Sequence, residues 1–450
     1  MAVAVIIGGG FGGVVAAREL IRTGWSAIIV DPHAQPGRGV AYATPSAWHL
    51  LNSPVSAMSV DPQRPDDFLD WCRRRDPHVG PGDFVSRGWY GDYLTEALRA
   101  ADDLAPGRLT VQRGHVGRVF EAAHGGMTVL LSDGVVLTAD AVVLAIGAAR
   151  PAHPAPVTDE VRRLPAYIGD PWRPDALTAV PDGPVLLIGT GLTAVDVALS
   201  LARAGRGPVT AVSRHGLLPA AHAPSVRQDL VPPAATRVSV LLRWVRDQAA
   251  TGDWRGVLDG LRPQWDPMWQ RLPEHEQRRF LRHLARYWEV HRHRMAPQVA
   301  AEVAALRARG TLTVRTGELR ELRALPDGRI EAVLATGRHT FAAVVNCTGP
   351  GRLGETDPLA RSMIADGLAR VGPHGLGLEV DEHGAVLGRG HRPPAVYALG
   401  AARRGRLWET TAAPEIRAQA RALADHLAFP AAAGALPATS DHGPRYASQP

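Results

Sequence analysis

The chain of 450 residues contains no lysine: all 50 of its basic residues are arginine. Against 44 acidic residues they leave a net charge of only +6, and no block of like charge is long enough to serve as an interaction tail. The composition, rich in alanine, arginine, glycine and proline, is that of a GC-rich genome, so nucleic acid is not an expected partner. Cysteine is nearly missing too. Cys72 and Cys347 stand far apart without a CxxC pair, which excludes a disulfide framework, a zinc ribbon and a dithiol redox centre. No apolar run approaches the ~18 residues of a membrane span. Met1–Gly10 has no basic start and runs straight into glycines, unlike a signal peptide, so a cytoplasmic protein without membrane contact is expected. The 47 glycines and 37 prolines follow no three-residue period, which excludes collagen. What remains is a globular chain long enough for two to four domains at roughly 100–200 residues each.

The first thirty residues carry the clearest chemistry. Val3–Ile7 is an apolar run suited to a buried parallel strand. It feeds Gly8-Gly9-Gly10-Phe11-Gly12-Gly13, where Gly8, Gly10 and Gly13 fit G-x-G-x-x-G. A helical stretch and a second apolar run ending on Asp31 follow. The glycines supply a tight turn, close approach to a pyrophosphate and close packing of helix on strand. The helix N-terminus offers N–H groups to phosphate, and Asp31 stands where an acid accepts a ribose hydroxyl. In full strand–turn–helix–strand–acid context this is a dinucleotide site.

A second copy lies downstream. Val185–Ile188 leads into Gly189-Thr190-Gly191-Leu192-Thr193-Ala194, a G-x-G-x-x-A variant, and the next strand ends in Ser213-Arg214 rather than an acid. An arginine there accommodates the 2′-phosphate of NADP, so Arg214 points to NADPH. The segments ending in Gly147, Gly349 and Gly400 each read as a strand followed by a glycine where backbone passes close to a ligand. Between Pro224 and Pro297, tryptophans interleave with arginine and histidine at helical spacing. This reads as a helical insertion, either a packed subdomain or a lid presenting cations to an anionic substrate. His291 and His293 are spaced wrongly for one helical face, so no metal is expected.

The expected fold is therefore α/β, with two Rossmann-like dinucleotide-binding domains. Residues 1–176 form the first part of an FAD-binding domain, and 177–341 an NADPH-binding domain with an insertion at 225–300. Residues 342–427 form the second part of the FAD-binding domain, and 428–450 a disordered tail. FAD at the first turn and NADPH at the second would let a hydride pass from nicotinamide to flavin. Three outcomes stay open on this basis: a monooxygenase, an NADPH-consuming flavin reductase or oxidase, and a nucleotide-binding redox sensor.

The stretch Gly37–Tyr42, His49–Asn52, Met58-Ser59, Asp66, Phe68 and Trp71 resembles a family of bacterial FAD/NAD(P)-binding flavoprotein monooxygenases. That family includes FAD-dependent urate hydroxylase and the aspartate N-monooxygenases that form nitrosuccinate. The likeness continues through Gly191–Thr193, Ser213–Pro219 with His222, Trp288–Pro297, and Leu407–Thr411 with Pro414–Arg417. The resemblance implies oxygenation of a small electron-rich substrate by O₂ through a C4a-hydroperoxyflavin. Aspartate-oxidising members carry additional sequence, so urate to 5-hydroxyisourate is the first expectation and N-hydroxylation of an amino acid the alternative. Two departures matter. Gly400-Ala401 stands where many two-domain flavoproteins have Gly-Asp, leaving the ribityl contact to backbone or Glu409. The F-x-G-x-x-x-H fingerprint is missing, which weakens ketone oxidation. Expected flavin ligands are Gly8, Gly10, Phe11, Gly12, Gly13 and Asp31, with His49, Asn52 and Met58 near the ring, and Gly147, Gly349 and Gly400 beside it. Trp408, Glu409 and Thr410 precede a helix whose N-terminus would face the pyrimidine. NADPH falls to Gly189, Gly191, Leu192, Thr193, Ser213 and Arg214. The candidate catalytic set is Asn52, His222, Arg294 and Arg403, with guanidinium suited to a planar anion.

Overall fold

The computed structural model describes residues 1–33, 35–390 and 393–428. Of the expected tail only Ala428 is among them, as the last residue of the Ala413–Ala428 helix; the rest lies outside the described residues.

Two five-stranded parallel sheets organise the chain. The apolar run β1 (Val3–Ile7) is buried along almost its whole length because it is flanked on both edges, by β2 (Ser26–Asp31) and β7 (Ala141–Leu144). With β3 (Leu109–Arg113) and β16 (Val396–Ala398) the order is β16-β7-β1-β2-β3. The Phe11–Arg22 helix makes the crossover from β1 to β2. It buries Val14, Val15, Leu20 and Ile21 in the same core as Phe68, Trp71, Tyr90 and Tyr93. A three-stranded antiparallel meander, β4 (Val116–Glu121), β5 (Met127–Leu131) and β6 (Val136–Ala139), sits between β3 and β7.

The second unit repeats this plan. β9 (Val185–Ile188) lies between β10 (Val209–Ser213) and β15 (Ala343–Asn346), with β11 (Leu312–Thr316) and β8 (Tyr167–Ile168) at the edges. A meander of β12 (Glu321–Ala324), β13 (Ile330–Leu334) and β14 (Gly337–Phe341) precedes β15.

Strand pairing corrects the expected boundaries. β8 falls before 177 and β15 after 341, yet both pair inside the second sheet, which therefore draws on residues 167 to 346. A short apolar run carries no mark of the sheet it will join, and β8 is only two residues long. The insertion also ends earlier than 300. Ala221 bridges Met295 in parallel, closing its neck, and Pro297–Ala308 is the helix that leads into β11. After β15 the chain returns to the first unit, adding β16 and packing the Ala413–Ala428 helix against Phe11–Arg22.

Candidate functional site

Each parallel sheet carries a glycine turn at the carboxyl end of its central strand. Gly8 has φ of +104°, and a Cβ there would lie 2.4 Å from the Ala145 carbonyl oxygen. A Cβ on Gly13 would lie 2.0 Å from the Gly8 carbonyl oxygen, so only glycine lets the helix sit this close to the strand. Gly10 caps the helix in an extended conformation. The Asp31 carboxylate is buried and accepts the Gly9 N–H at 2.6 Å through Oδ2, while Oδ1 takes the His33 N–H at 2.8 Å. Asp31 thus fixes the turn as well as ending β2. These residues form a cradle that a side chain would fill, as a dinucleotide pyrophosphate requires.

The second turn is a near replica. Gly189 has φ of +115°, with a hypothetical Cβ 2.3 Å from the Cys347 carbonyl oxygen, and Gly191 caps the Leu192–Arg203 helix in the same extended conformation as Gly10. Leu192 and Thr193 open that helix and are half-buried. Thr190 donates to the Leu217 carbonyl at 2.6 Å and shares a hydrogen bond with the Ser213 hydroxyl at 2.8 Å. Ser213 also accepts the Gly216 N–H at 3.0 Å, so its hydroxyl shapes the turn. Arg214 is exposed and makes no ion pair with any described residue. Gly147 and Gly349 follow β7 and β15 with φ of +70° and +86°, and no atom approaches within 4 Å of either Cβ position.

The insertion is fastened to the segment leading into the last helix. Arg262 makes a bidentate pair with Glu415, at 2.6 and 2.8 Å, and Asp266 accepts the backbone N–H of Trp408 and Glu409 at 2.9 and 3.1 Å. The Trp269 indole donates to the Gly405 carbonyl at 2.9 Å. Glu409 accepts the Trp288 indole N–H at 2.5 Å and lies 3.5 Å from Arg292 Nε. Burial raises the Glu409 carboxyl above its ordinary range, and burial likewise lowers Arg292. Around this junction several buried donors have no acceptor: Arg292 Nε and Nη2, Arg294 Nε, and the Trp265 and Trp408 indole N–H. Arg292 lies over the Trp265 ring at 4.7 Å, and Arg294 pairs with Asp259.

Three of the four catalytic candidates are brought together. His222 Nε2–H donates to the Asn52 carbonyl at 3.0 Å, and the His222 backbone N–H bonds Met295, next to Arg294. Burial first, and the Arg294 charge next, push His222 down to about 4. At neutral pH it is an uncharged hydrogen-bond donor. Arg403 does not join the group: its guanidinium is buried, and Nη2 donates to the Glu382 carbonyl at 2.9 Å.

Other residues of the expected ligand set also make contacts within the protein. His49 Nδ1 bonds Thr44 Oγ1 at 2.7 Å within the first unit, and Nε2 bonds Ser200 Oγ at 2.9 Å, which ties the first unit to the second. Phe11 is buried with its ring tilted against Tyr90. Met58 is buried in that same core, and its carbonyl accepts from Tyr90 at 2.8 Å. A Cβ on Gly12 would face Ala145 and Ile416, the packing of the last helix. Thr410 is fully buried, donating to the Gly400 carbonyl at 2.9 Å and accepting from Gln419 at 2.7 Å. Gln419 also accepts the Gly400 N–H at 2.9 Å, and Gly400 has φ of +64°. The Trp408 ring packs between Trp269 and Phe280. Glu409 is engaged by Trp288 and Arg292. Arg262, Asp266, Arg292 and Gln419 are not among the site residues expected from the sequence, and no local pattern marks them.

Two parallel sheets, each with a glycine turn at its central strand, define an α/β protein of two Rossmann-type nucleotide-binding units. Residues 5–149, which carry the first glycine turn, match the family described as FAD-NAD(P)-binding. No curated protein matches the sequence. Among solved structures, the reduced ornithine hydroxylase PvdA from Pseudomonas aeruginosa is 15% identical with a TM-score of 0.63, covering 95% of this chain and 99% of its own. The FAD-bound cadaverine monooxygenase DfoA from Erwinia amylovora is 13% identical with a TM-score of 0.65, over 93% and 92%. The L-lysine 6-monooxygenase from Pseudomonas syringae is 16% identical with a TM-score of 0.63, over 95% and 99%. At these identities the likeness is one of fold. No helix among the described residues is long and apolar enough to cross a membrane.

Proposed function

We propose that the protein is an FAD-dependent, NADPH-consuming monooxygenase that hydroxylates the nitrogen of a small amino acid. The observation that carries the amino-acid part is the buried cluster of Arg292, Arg294 and Trp265, in which Arg292 Nε and Nη2, Arg294 Nε and the Trp265 indole N–H have no hydrogen-bond partner even though Glu409 and Asp259 pair with the two guanidinium groups. A buried donor left unpaired costs about 1–3 kcal/mol, so these N–H groups call for a ligand rich in acceptor oxygens. A substrate carboxylate answers it, and a guanidinium fork fits a carboxylate in two bonds. The full-length fold neighbours named for ornithine, cadaverine and lysine support an amine as the oxidised end. No comparison favours urate, so the amino acid replaces it as the leading substrate.

Gly8, Gly10, Gly13 and Asp31 would hold FAD, and Gly189, Gly191 and Arg214 would hold NADPH. When bound, the flavin takes a hydride from NADPH and passes oxygen from O₂ to the substrate. The chain's own residues position and seal. His222 fixes the Asn52 loop without taking a proton at neutral pH. The tryptophans of the insertion exclude water, and Arg292 with Arg294 orients the carboxylate. The test is NADPH oxidation by flavin-loaded protein with amino acids, with the amines left when their carboxylate is removed, and with urate. Stimulation by an amino acid, its loss with the decarboxylated amine, and an oxygen atom found on nitrogen are expected. Stimulation by urate alone, with 5-hydroxyisourate as product, would overturn the reading.

A further inference from the structure

The two glycine turns differ in what stands opposite them. At Gly10 the position of a side chain faces only main chain, the Gly39 Cα at 3.5 Å. At Gly191 the same position faces a guanidinium, with Nη1 and Nη2 of Arg286 each 3.9 Å away. In a turn of this kind that space borders the path of the pyrophosphate, since the second glycine exists to let phosphate approach the main chain. One side of the path is lined by the N-terminus of the Leu192–Arg203 helix. Arg286 covers the other, and it comes from the insertion helix Ala285–Arg292, outside the nucleotide fold proper.

Its neighbour supports the same placement. Tyr287 is 46% exposed, and its ring centroid lies 5.8 Å from that of His215. His215 follows Arg214 at the end of β10, the side of the site where ribose and base belong. Arg286 is weakly committed in the free protein. Its partner is Glu289 at 3.2 Å, one turn on along the same helix, and Glu289 is shared with Arg404 at 3.5 Å. A partly exposed pair at that spacing yields readily to a doubly charged diester that a guanidinium can grip with two hydrogen bonds.

The geometry points to Arg286 and Tyr287 as an arm by which the helical insertion grips the nicotinamide dinucleotide, Arg286 on the pyrophosphate and Tyr287 with His215 on the adenine. This rests on the reading of the second turn as the NADPH site, and adds to it residues that the nucleotide fold does not supply. The arm also has a second end. Trp288 and Arg292, on the same helix, reach Glu409 at 2.5 and 3.5 Å, so the helix that holds the nucleotide lines the cluster proposed for substrate.

The test is equilibrium titration of the flavin-loaded protein with NADP⁺ and with adenosine 2′-monophosphate, which keeps base, ribose and 2′-phosphate but has no pyrophosphate. Arg286→Gln should weaken NADP⁺ by about 10- to 100-fold and leave adenosine 2′-monophosphate within about twofold. Arg286→Lys, which keeps the charge and loses the fork, should fall between wild type and Arg286→Gln. Tyr287→Ala and Arg214→Ala should each weaken both ligands. Retained flavin and an unchanged unfolding midpoint establish that the variants are folded. If the wild type binds neither ligand, the nucleotide reading fails. If it binds both and Arg286→Gln leaves NADP⁺ unchanged, or weakens the two ligands equally, the arm is refuted and the nucleotide reading stands.

Discussion

Arg87→Met tests the seam between the two units. Arg87 opens the Arg87–Leu104 helix of the first unit, and its Nη1 lies 2.8 Å from Oδ2 of Asp196 in the Leu192–Arg203 helix of the second. The side chains retain 16% and 6% of their exposure, and Arg87 Nε also donates to the Leu50 carbonyl at 3.1 Å. Methionine keeps the apolar stem and abandons a carboxylate with little water to turn to. Breaking a buried pair from one side costs about 3–5 kcal/mol. At about 2.1 cal/mol/K of unfolding entropy per residue, a single transition of the whole chain would move its midpoint down by about 3–5 °C. If the second unit unfolds by itself, the same loss is spread over fewer residues and the shift becomes about 8–13 °C. Calorimetry distinguishes one transition from two. Tryptophan emission follows the same seam, because the Trp48 indole donates to Ser200 at 3.2 Å. Arg87→Met/Asp196→Leu should recover most of the loss, since an apolar pair replaces a buried ion pair with little penalty. A shift below about 1 °C for the single variant, or a double variant worse than the single, would refute the reasoning.

Gly13→Ala places a methyl against the Gly8 carbonyl, backbone on backbone, so the helix must lift from β1. An overpacking cost of about 1–3 kcal/mol and protein purified with little flavin are expected, while Gly82→Ala, with nothing within 4 Å, should be neutral in absorbance and melting. Arg292→Met should raise KM for the amino-acid substrate at least about tenfold and leave KM for NADPH unchanged; the opposite pattern would move the carboxylate elsewhere. His222, at about 4 when folded and near 6.5 when unfolded, takes its proton more readily in the unfolded chain. Its contribution to stability is complete above about pH 6.5 and is lost as pH falls towards 4. His293, pushed by burial to about 3, acts in the same direction. His222→Gln should therefore flatten part of the midpoint-versus-pH curve between pH 4 and 6.5, and a curve parallel to wild type would contradict this.

Both nucleotide turns were legible in the sequence because their demands are local. Gly8, Gly13 and Gly189 are fixed by main-chain atoms a few residues away or at the end of the adjoining strand, and buried parallel strands announce themselves as unbroken apolar runs. The meanders were not legible: β4 buries only Val119 and β6 only Ala139, too little to stand out as strands. Nor does a local pattern say where a polar side chain ends up. His49 and Thr410 lie in ligand-like segments, yet their hydrogen bonds run to Ser200 and Gln419, partners set by tertiary packing. Conversely, Arg292 stood as one of many arginines in the insertion, and what distinguishes it is that its buried Nε and Nη2 make no hydrogen bond while Glu409 lies 3.5 Å away.

The first sheet draws one edge strand, β16, from Val396–Ala398, after the whole second sheet has been passed. During synthesis β7 must leave a flank open until that late segment emerges. At about 5–20 residues per second the delay is on the order of tens of seconds. The unit begun first on the ribosome is thus the last to close, and truncation between β15 and residue 396 would spare the later-born sheet while leaving the earlier one with an unpaired apolar margin prone to self-association.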